Sequence, residues 1–278
     1  MSFLTGFIFC LLFCSFPALL GNGQEDCPRR IISLGPVMTE ELYLLGAEDK
    51  LVGCTVYCQR PPAAKNKEKV GTIMEVNEER IAALKPDLVL LTSLAQPRTK
   101  EKLNRLGIKT VTFPAAKSFP GICGQFLELG GIVGKERYAG EIIQSAEDKI
   151  ASIRKKTAGL PKPKVFVQIG ARPLVAAGGD SFVNDFIEFA GGINIARGLK
   201  TAPYSREVVL EDNPDVIIIA TMGIQGDAEK EAWQRYRTIK AVQSGRIYLV
   251  DSYTFCSPTP VSFAETLEEI AGLLHEKE

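Results

Sequence analysis

Between Gly134 and Gly159 the chain carries one unbroken helical pattern, with strand–helix alternation on either side, and this limits the folds open to it. Tyr138, Ile142, Ile143, Ala146, Ile150 and Ile153 recur three or four residues apart, and charged residues fill the opposite face. Gly159-Leu160-Pro161-Lys162-Pro163 stops the pattern. At 1.5 Å per residue, a helix over residues 135–157 is about 34 Å long.

Before this helix, Arg30-Ile31-Ile32-Ser33-Leu34 reads as a strand stopped by Gly35-Pro36, and a helix follows from Thr39, with Glu40 and Glu41 in its first turn, to near Gly46. Leu51–Cys54, Asp87–Leu91 and Thr110–Phe113 read as further strands, and Asn77 caps a helix that Lys85-Pro86-Asp87 breaks. After it, Lys164–Ile169, Val216–Ala220 and Arg246–Val250 restart the alternation. The pattern predicts an α/β fold of two lobes, each with a central, mainly parallel sheet, joined by one long helix. The expected boundaries are 24–134 for the first lobe, 135–160 for the linking helix and 161–278 for the second. One continuous α/β domain with a long crossover is the alternative.

Residues 1–23 contain no charge, and Phe7 to Leu20 is mostly apolar, too short to span a bilayer comfortably. They read as an export signal, with small residues at Gly21 and Gly23 for cleavage, although no Lys or Arg opens the segment. Cys10, Cys14 and Cys27 stand outside a Leu-Ala-Gly-Cys context, so a lipid anchor has no support. Removing residues 1–23 leaves Cys27, Cys54, Cys58, Cys123 and Cys256, an odd set without zinc-ribbon spacing. The 33 basic residues balance 33 acidic ones, which removes the basic footprint of a nucleic-acid binder.

Ligands of open α/β sheets bind beyond the carboxyl ends of the strands. In the first lobe those ends carry Pro36, Met38, Tyr57, Cys58, Arg60 and Met74. In the second they carry Arg172, Phe182, Thr221-Met222, Phe255 and Cys256. This lining is aromatic, aliphatic and amide-like with two Arg, which suits a large, partly apolar ligand better than proton transfer. No Gly-x-Ser-x-Gly elbow or phosphate loop is present. Cys58 as a nucleophile in an exported enzyme would need a base, and the single His, His275, reads as a solvated tail residue.

Several stretches, taken in order, carry a resemblance. They are Ile32-Ser33-Leu34-Gly35-Pro36-Val37-Met38-Thr39-Glu40, Tyr57-Cys58-Gln59-Arg60-Pro61-Pro62, Asn77–Ile81 with Leu84-Lys85-Pro86-Asp87-Leu88-Val89, and Ala190-Gly191-Gly192-Ile193-Asn194. From about Arg30 to His275 the chain resembles the periplasmic binding proteins of ABC importers for vitamin B12, siderophores and haem, the class III group with a helical backbone. The Tyr57-Cys58 loop is similar to the Cys-Asp-Tyr-Pro-Pro loop of cobalamin-binding members, from which Gln59 and Arg60 depart.

The resemblance implies a monomeric periplasmic carrier without a cofactor of its own. It would deliver cobalamin or a related corrinoid, or alternatively haem or a ferric siderophore, to a permease dimer. It implies that Glu79 and Glu207 dock to permease Arg residues, one from each lobe. It also brings Tyr204 near the ligand, where some cobalamin binders carry an aromatic in another register. Haem binders of this type offer Tyr, His or Met to iron, and siderophore binders use Arg, for which Tyr57, Arg60 and Arg172 are the candidates. Cys58 and Cys256 could act together as soft metal ligands or as a disulfide across the lobes, or Cys58 could simply follow the family loop.

Overall fold

The run Ile31-Ile32-Ser33 is buried on both faces, and its neighbours arrange themselves around it. The computed structural model describes residues 27–199, 204–220 and 226–275. The expected export segment, Cys10, Cys14, Thr221 and Met222 lie outside them.

The first lobe runs β1 (Ile31–Ser33), α1 (Pro36–Leu44), β2 (Leu51–Cys54), α2 (Glu78–Ala83), β3 (Leu88–Thr92), α3 (Pro97–Arg105), β4 (Lys109–Phe113) and α4 (Phe119–Val133). Its sheet has the order β2-β1-β3-β4, all parallel. Successive strand residues point to opposite faces. Ile31, Leu88 and Leu90 therefore join one core with Leu42, Phe126 and Leu129, while Ile32, Val89 and Leu91 join another with Ile81 and Leu103. Burial on both faces is why these strands read as continuous apolar runs.

α5 (Glu136–Thr157) leads to the second lobe: β5 (Lys164–Ala171), β6 (Leu174–Ala176), α6 (Phe182–Phe189), β7 (Ile193–Asn194), α7 (Arg206–Asp212), β8 (Val216–Ile219), α8 (Gly226–Gln234), α9 (Lys240–Gln243), β9 (Ile247–Leu249), α10 (Ser252–Cys256) and α11 (Pro260–His275). The order is β6-β5-β8-β9 with β7 also on β5, and only β6 is antiparallel. Val165, Val167, Val216 and Ile218 face one core, and Phe166, Ile217 and Ile219 face the other. Asn194 is buried and fixes the turn beside β7, donating to the Ala177 carbonyl at 3.0 Å and to Asn184 Oδ1 at 3.1 Å. A Cβ on Gly192 would meet Leu274, Ile187 and Val165 at 2.9–3.0 Å, so any larger residue would have to displace all three side chains.

Two departures from the expected pattern have physical causes. α1 begins at Pro36, three residues before Thr39, because Gly35 is extended and Pro36 is pre-set for the first helical position. Glu40 and Glu41 therefore lie beyond its first turn. His275 is not a solvated tail residue, since its Nε2 lies 2.7 Å from the Ala190 carbonyl oxygen. The lobes are joined by the one long helix expected, α5. α11 packs along α5 and touches α4, so three helices brace the lobes. One continuous core includes Phe119 and Ile122 of α4, Phe186 of α6 and Phe263 of α11. Phe186 stacks on Phe263 with ring centroids 4.1 Å apart, and Phe263 meets Phe119 at 4.7 Å.

Candidate ligand-binding cleft

Where the carboxyl ends of β3 and β4 face α6 and α10, the lobes enclose a cavity of about 240 Å³. Val37, Met38 and Glu41 of α1 form one wall, and Leu94, Phe113 and Pro114 continue it past the strand ends. Ile122 and Gln125 of α4 lie behind, and Phe182, Cys256 and Pro258 close the second-lobe side. Gly35 lets α1 start against β3, because a Cβ there would lie 2.6 Å from Met38 Cε and 2.7 Å from Thr92 Cγ2. Gln125 is held by its amide, which donates to the Pro114 carbonyl at 2.7 Å. Burial raises the Cys256 thiol to about 11, so it is neutral at ordinary pH.

Met38, Phe182 and Cys256 thus meet in the cavity, and Pro36 stands half-buried beside it as the first residue of α1. Tyr57 and Met74 are 52% and 57% exposed on first-lobe loops outside the cavity wall, and Arg172 is exposed on the β5–β6 turn. The Gln96 amide donates to the Met74 carbonyl at 2.9 Å, tying the Met74 loop to the loop of Leu94, itself 67% exposed at the cavity rim.

Three expected lining residues belong to packed interiors instead. Cys58 is fully buried, its sulfur accepting from Thr39 Oγ1 at 3.1 Å and lying 3.2 Å from Thr55 Oγ1. The neighbouring Cys54 thiol and hydrogen bonds from Thr39 and Thr55 lower its thiol, while the Cys58 neighbour and burial raise that of Cys54. Tyr204 stacks on Phe166 at 5.7 Å and donates its hydroxyl to Asp212 Oδ2 at 2.9 Å. Phe255 is buried on Phe186 at 5.1 Å. The five described cysteines are free thiols, and no group of three or more His, Cys, Asp or Glu gathers as a metal cluster among the described residues.

Arg60 reaches across the lobes. Its Nη2 lies 2.9 Å from Glu40 Oε2, and its guanidinium sits 3.9 Å over the Tyr253 ring of α10. The Glu40 contact is an ion pair without an aligned hydrogen bond, since both atoms lack one in the described structure. Burial raises the Glu40 carboxyl, and Arg60 opposes that rise. The charge of Arg60 is therefore already engaged. A second bridge, Lys117 Nζ to Asp180 Oδ2 at 2.6 Å, is largely exposed.

Glu79 and Glu207 are exposed in the first turns of α2 and α7. Asn77 caps α2 by accepting from the Arg80 amide at 2.8 Å, and Ser205 caps α7 by accepting from the Val208 amide at 3.3 Å. The Glu207 carboxyl is held below the usual range by its own backbone amide and by the Ser205 hydroxyl. α7 is tied down by Arg206, which pairs with Glu229 at 2.8 Å and lies 4.4 Å over Trp233.

The periplasmic binding protein family matches residues 31–254. The chain belongs to this family. An ABC transporter substrate-binding lipoprotein of Bacillus subtilis, YvrC, is 30% identical over 89% of this chain and 80% of its own. The vitamin B12-binding protein of Vibrio vulnificus is 29% identical over 84% of this chain and 85% of its own. Among solved structures, a possible iron-binding periplasmic solute-binding protein of Staphylococcus epidermidis superposes with a TM-score of 0.79. It is 27% identical and covers 90% of this chain and 100% of its own. The periplasmic vitamin B12 binding protein of Vibrio cholerae gives a TM-score of 0.74 at 26% identity, covering 89% of this chain and 97% of its own. This binding protein therefore has the class III fold, and its family serves ABC importers outside the cytoplasm as substrate carriers rather than enzymes.

Proposed function

We propose that this binding protein captures cobalamin or a related corrinoid between its lobes and delivers it to an ABC permease, with Glu79 and Glu207 as the two docking points. The observation that carries the reading is the cavity wall. It is built mostly from apolar groups, with Thr92, Ser93, Ser257, Gln125 and Glu41 as polar members and no Lys, Arg or His among its described residues. Such a wall suits a large, nearly neutral ligand held by packing and amide contacts. An anionic chelate would need a free cation, and Arg60 is engaged by Glu40 and Tyr253. The vitamin B12-binding relatives support the same cargo.

The cavity of about 240 Å³ is smaller than the roughly 300–1,000 Å³ of typical ligand pockets. A corrinoid enters only as the lobes part, and Arg60 on Tyr253 and Lys117 on Asp180 are contacts that yield. Exposed acidic residues at both ends suit docking to basic pockets, because they steer encounter without a large buried area. Export through residues 1–23 belongs to this reading and is checked by sequencing the mature N-terminus.

A ferric chelate or haem is the second reading, favoured by the likeness to the possible iron-binding protein of Staphylococcus epidermidis and by the exposed Tyr57 phenol. Spectral titration with cyanocobalamin, haem and ferric chelates separates the two. Native mass spectrometry of protein purified from its own host reads the cargo directly. Failure to bind any corrinoid at micromolar concentration overturns the first reading.

A further inference from the structure

We propose that Glu41 is the polar anchor of the cleft, its carboxyl pairing with a primary carboxamide on the periphery of the cargo. The proposal rests on the corrinoid reading and names the contact that would select it. Glu41 lies one helical turn after Val37 on the α1 face that walls the cavity, and it is only 3% exposed. It shares the cavity wall with the apolar side chains of Met38, Ile122 and Phe182. Among the described residues no cation and no hydrogen-bond donor reaches its carboxyl. A buried polar group normally finds a partner, because desolvation is otherwise uncompensated. A leucine at this position would satisfy the same helix face without that cost. The carboxyl therefore serves whatever enters the cavity.

Its chemistry narrows what that is. Burial first, and the neighbouring Glu40 carboxylate second, raise the Glu41 carboxyl well above the usual range, which favours the neutral acid. A neutral carboxylic acid presents one O–H donor and one C=O acceptor side by side. A primary carboxamide presents N–H and C=O in the complementary order, so the two close a ring of two hydrogen bonds. The corrin periphery of cobalamin carries such amides. Haem carries carboxylates, which would bring a second negative charge toward Glu41 and Glu40 in a low-dielectric wall.

The test uses the full-length mature protein and its Glu41→Gln and Glu41→Leu variants. Each is titrated calorimetrically with cyanocobalamin and with a corrinoid whose peripheral amides have been hydrolysed to acids. Glu41→Gln keeps a donor and an acceptor and stays within about threefold of the parent, whereas Glu41→Leu binds cyanocobalamin about 10- to 100-fold more weakly. The parent prefers the amide over the acid corrinoid, and Glu41→Leu narrows that preference. Thermal melting of the unliganded proteins provides the second readout. Glu41→Leu should melt higher than the parent, as expected when a polar group kept for binding is removed. A lower midpoint would mean the carboxyl serves the fold and would overturn the proposal. Unchanged cyanocobalamin affinity in Glu41→Leu would overturn it while leaving the corrinoid reading intact. A parent protein that binds no corrinoid removes both together.

Discussion

Glu79 and Glu207 occupy the same step of one local construction built twice. Each is the second residue of its helix, two past a capping side chain, Asn77 or Ser205. Each lies eight residues before an aspartate reached through a left-handed residue and a proline: Lys85-Pro86-Asp87 in one lobe, Asn213-Pro214-Asp215 in the other. The aspartates do the same work. Asp87 Oδ2 accepts the Arg29 and Arg30 amides at 2.7 and 2.8 Å, and Asp215 Oδ2 accepts the Lys164 amide at 2.8 Å. Each helix is thereby pinned to the start of its central strand, and the two carboxylates are presented by matching scaffolds.

Charge reversal tests the docking role. Glu79→Lys and Glu207→Lys should each reduce ligand-dependent stimulation of the permease ATPase by about tenfold or more, with cargo affinity unchanged. Loss of cargo binding in parallel would instead indicate a folding defect. Full stimulation in the double variant would remove both residues from the docking surface.

The aspartate pins predict a pH-dependent stability term. The Arg29 and Arg30 amides hold the Asp87 carboxyl below the usual carboxylate range. A depressed folded value means that the contribution is complete above the unfolded value near pH 4, and is lost as pH falls through the folded one. Asp87→Asn should cost about 1 kcal/mol at pH 7, kept small by solvent screening at this exposed site. The gap from the parent should close below about pH 4. Urea melts at pH 7 and pH 3 measure it, and an equal gap at both would contradict the assignment.

Phe186 is the keystone of the shared core, stacked on both Phe255 and Phe263. Phe186→Ala should cost about 3–5 kcal/mol, a large share of a typical total of about 5–15 kcal/mol. Differential scanning calorimetry of that variant should show one lowered transition rather than two, because the core joins both lobes.

The cysteines should separate by labelling. Cys256 lines the cavity with its thiol raised to about 11. Its alkylation should accelerate about tenfold per pH unit between pH 7 and 9, and a bound cargo should slow it. Cys58 is sealed and should react only as the protein opens. Peptide mapping after iodoacetamide reads both, and equal rates in the native state would argue against this arrangement.

Much of the fold is legible in the sequence. Strands buried on both faces read as Ile, Val and Leu runs, and α5 announces itself by its spacing. The brace is harder to read, because α11 and α5 are distant in sequence and their contact is a tertiary fact. The cleft is legible only where a strand end fixes the backbone. Phe255 and Cys256 are neighbours in α10, and one residue turns a helix by about 100°, so adjacency does not say that one is core and the other cavity wall. Glu41 escapes for a related reason. A helix begun at Thr39 gives it a solvated first turn, whereas one begun at Pro36 carries it onto the Val37 side.

The three-helix brace also sets an order of assembly. During synthesis the chain emerges from its N-terminus, and the described strands of the first sheet all precede Gly134. The strands of that lobe can therefore pair before the second lobe is made. The aromatic core cannot close until Phe263 arrives, and Phe263 lies on α11, the last of the described helices. Loss of α11 would leave a formed first sheet beside an open seam of Phe119, Phe186 and Phe255, so a helix far along the chain completes the junction between the lobes.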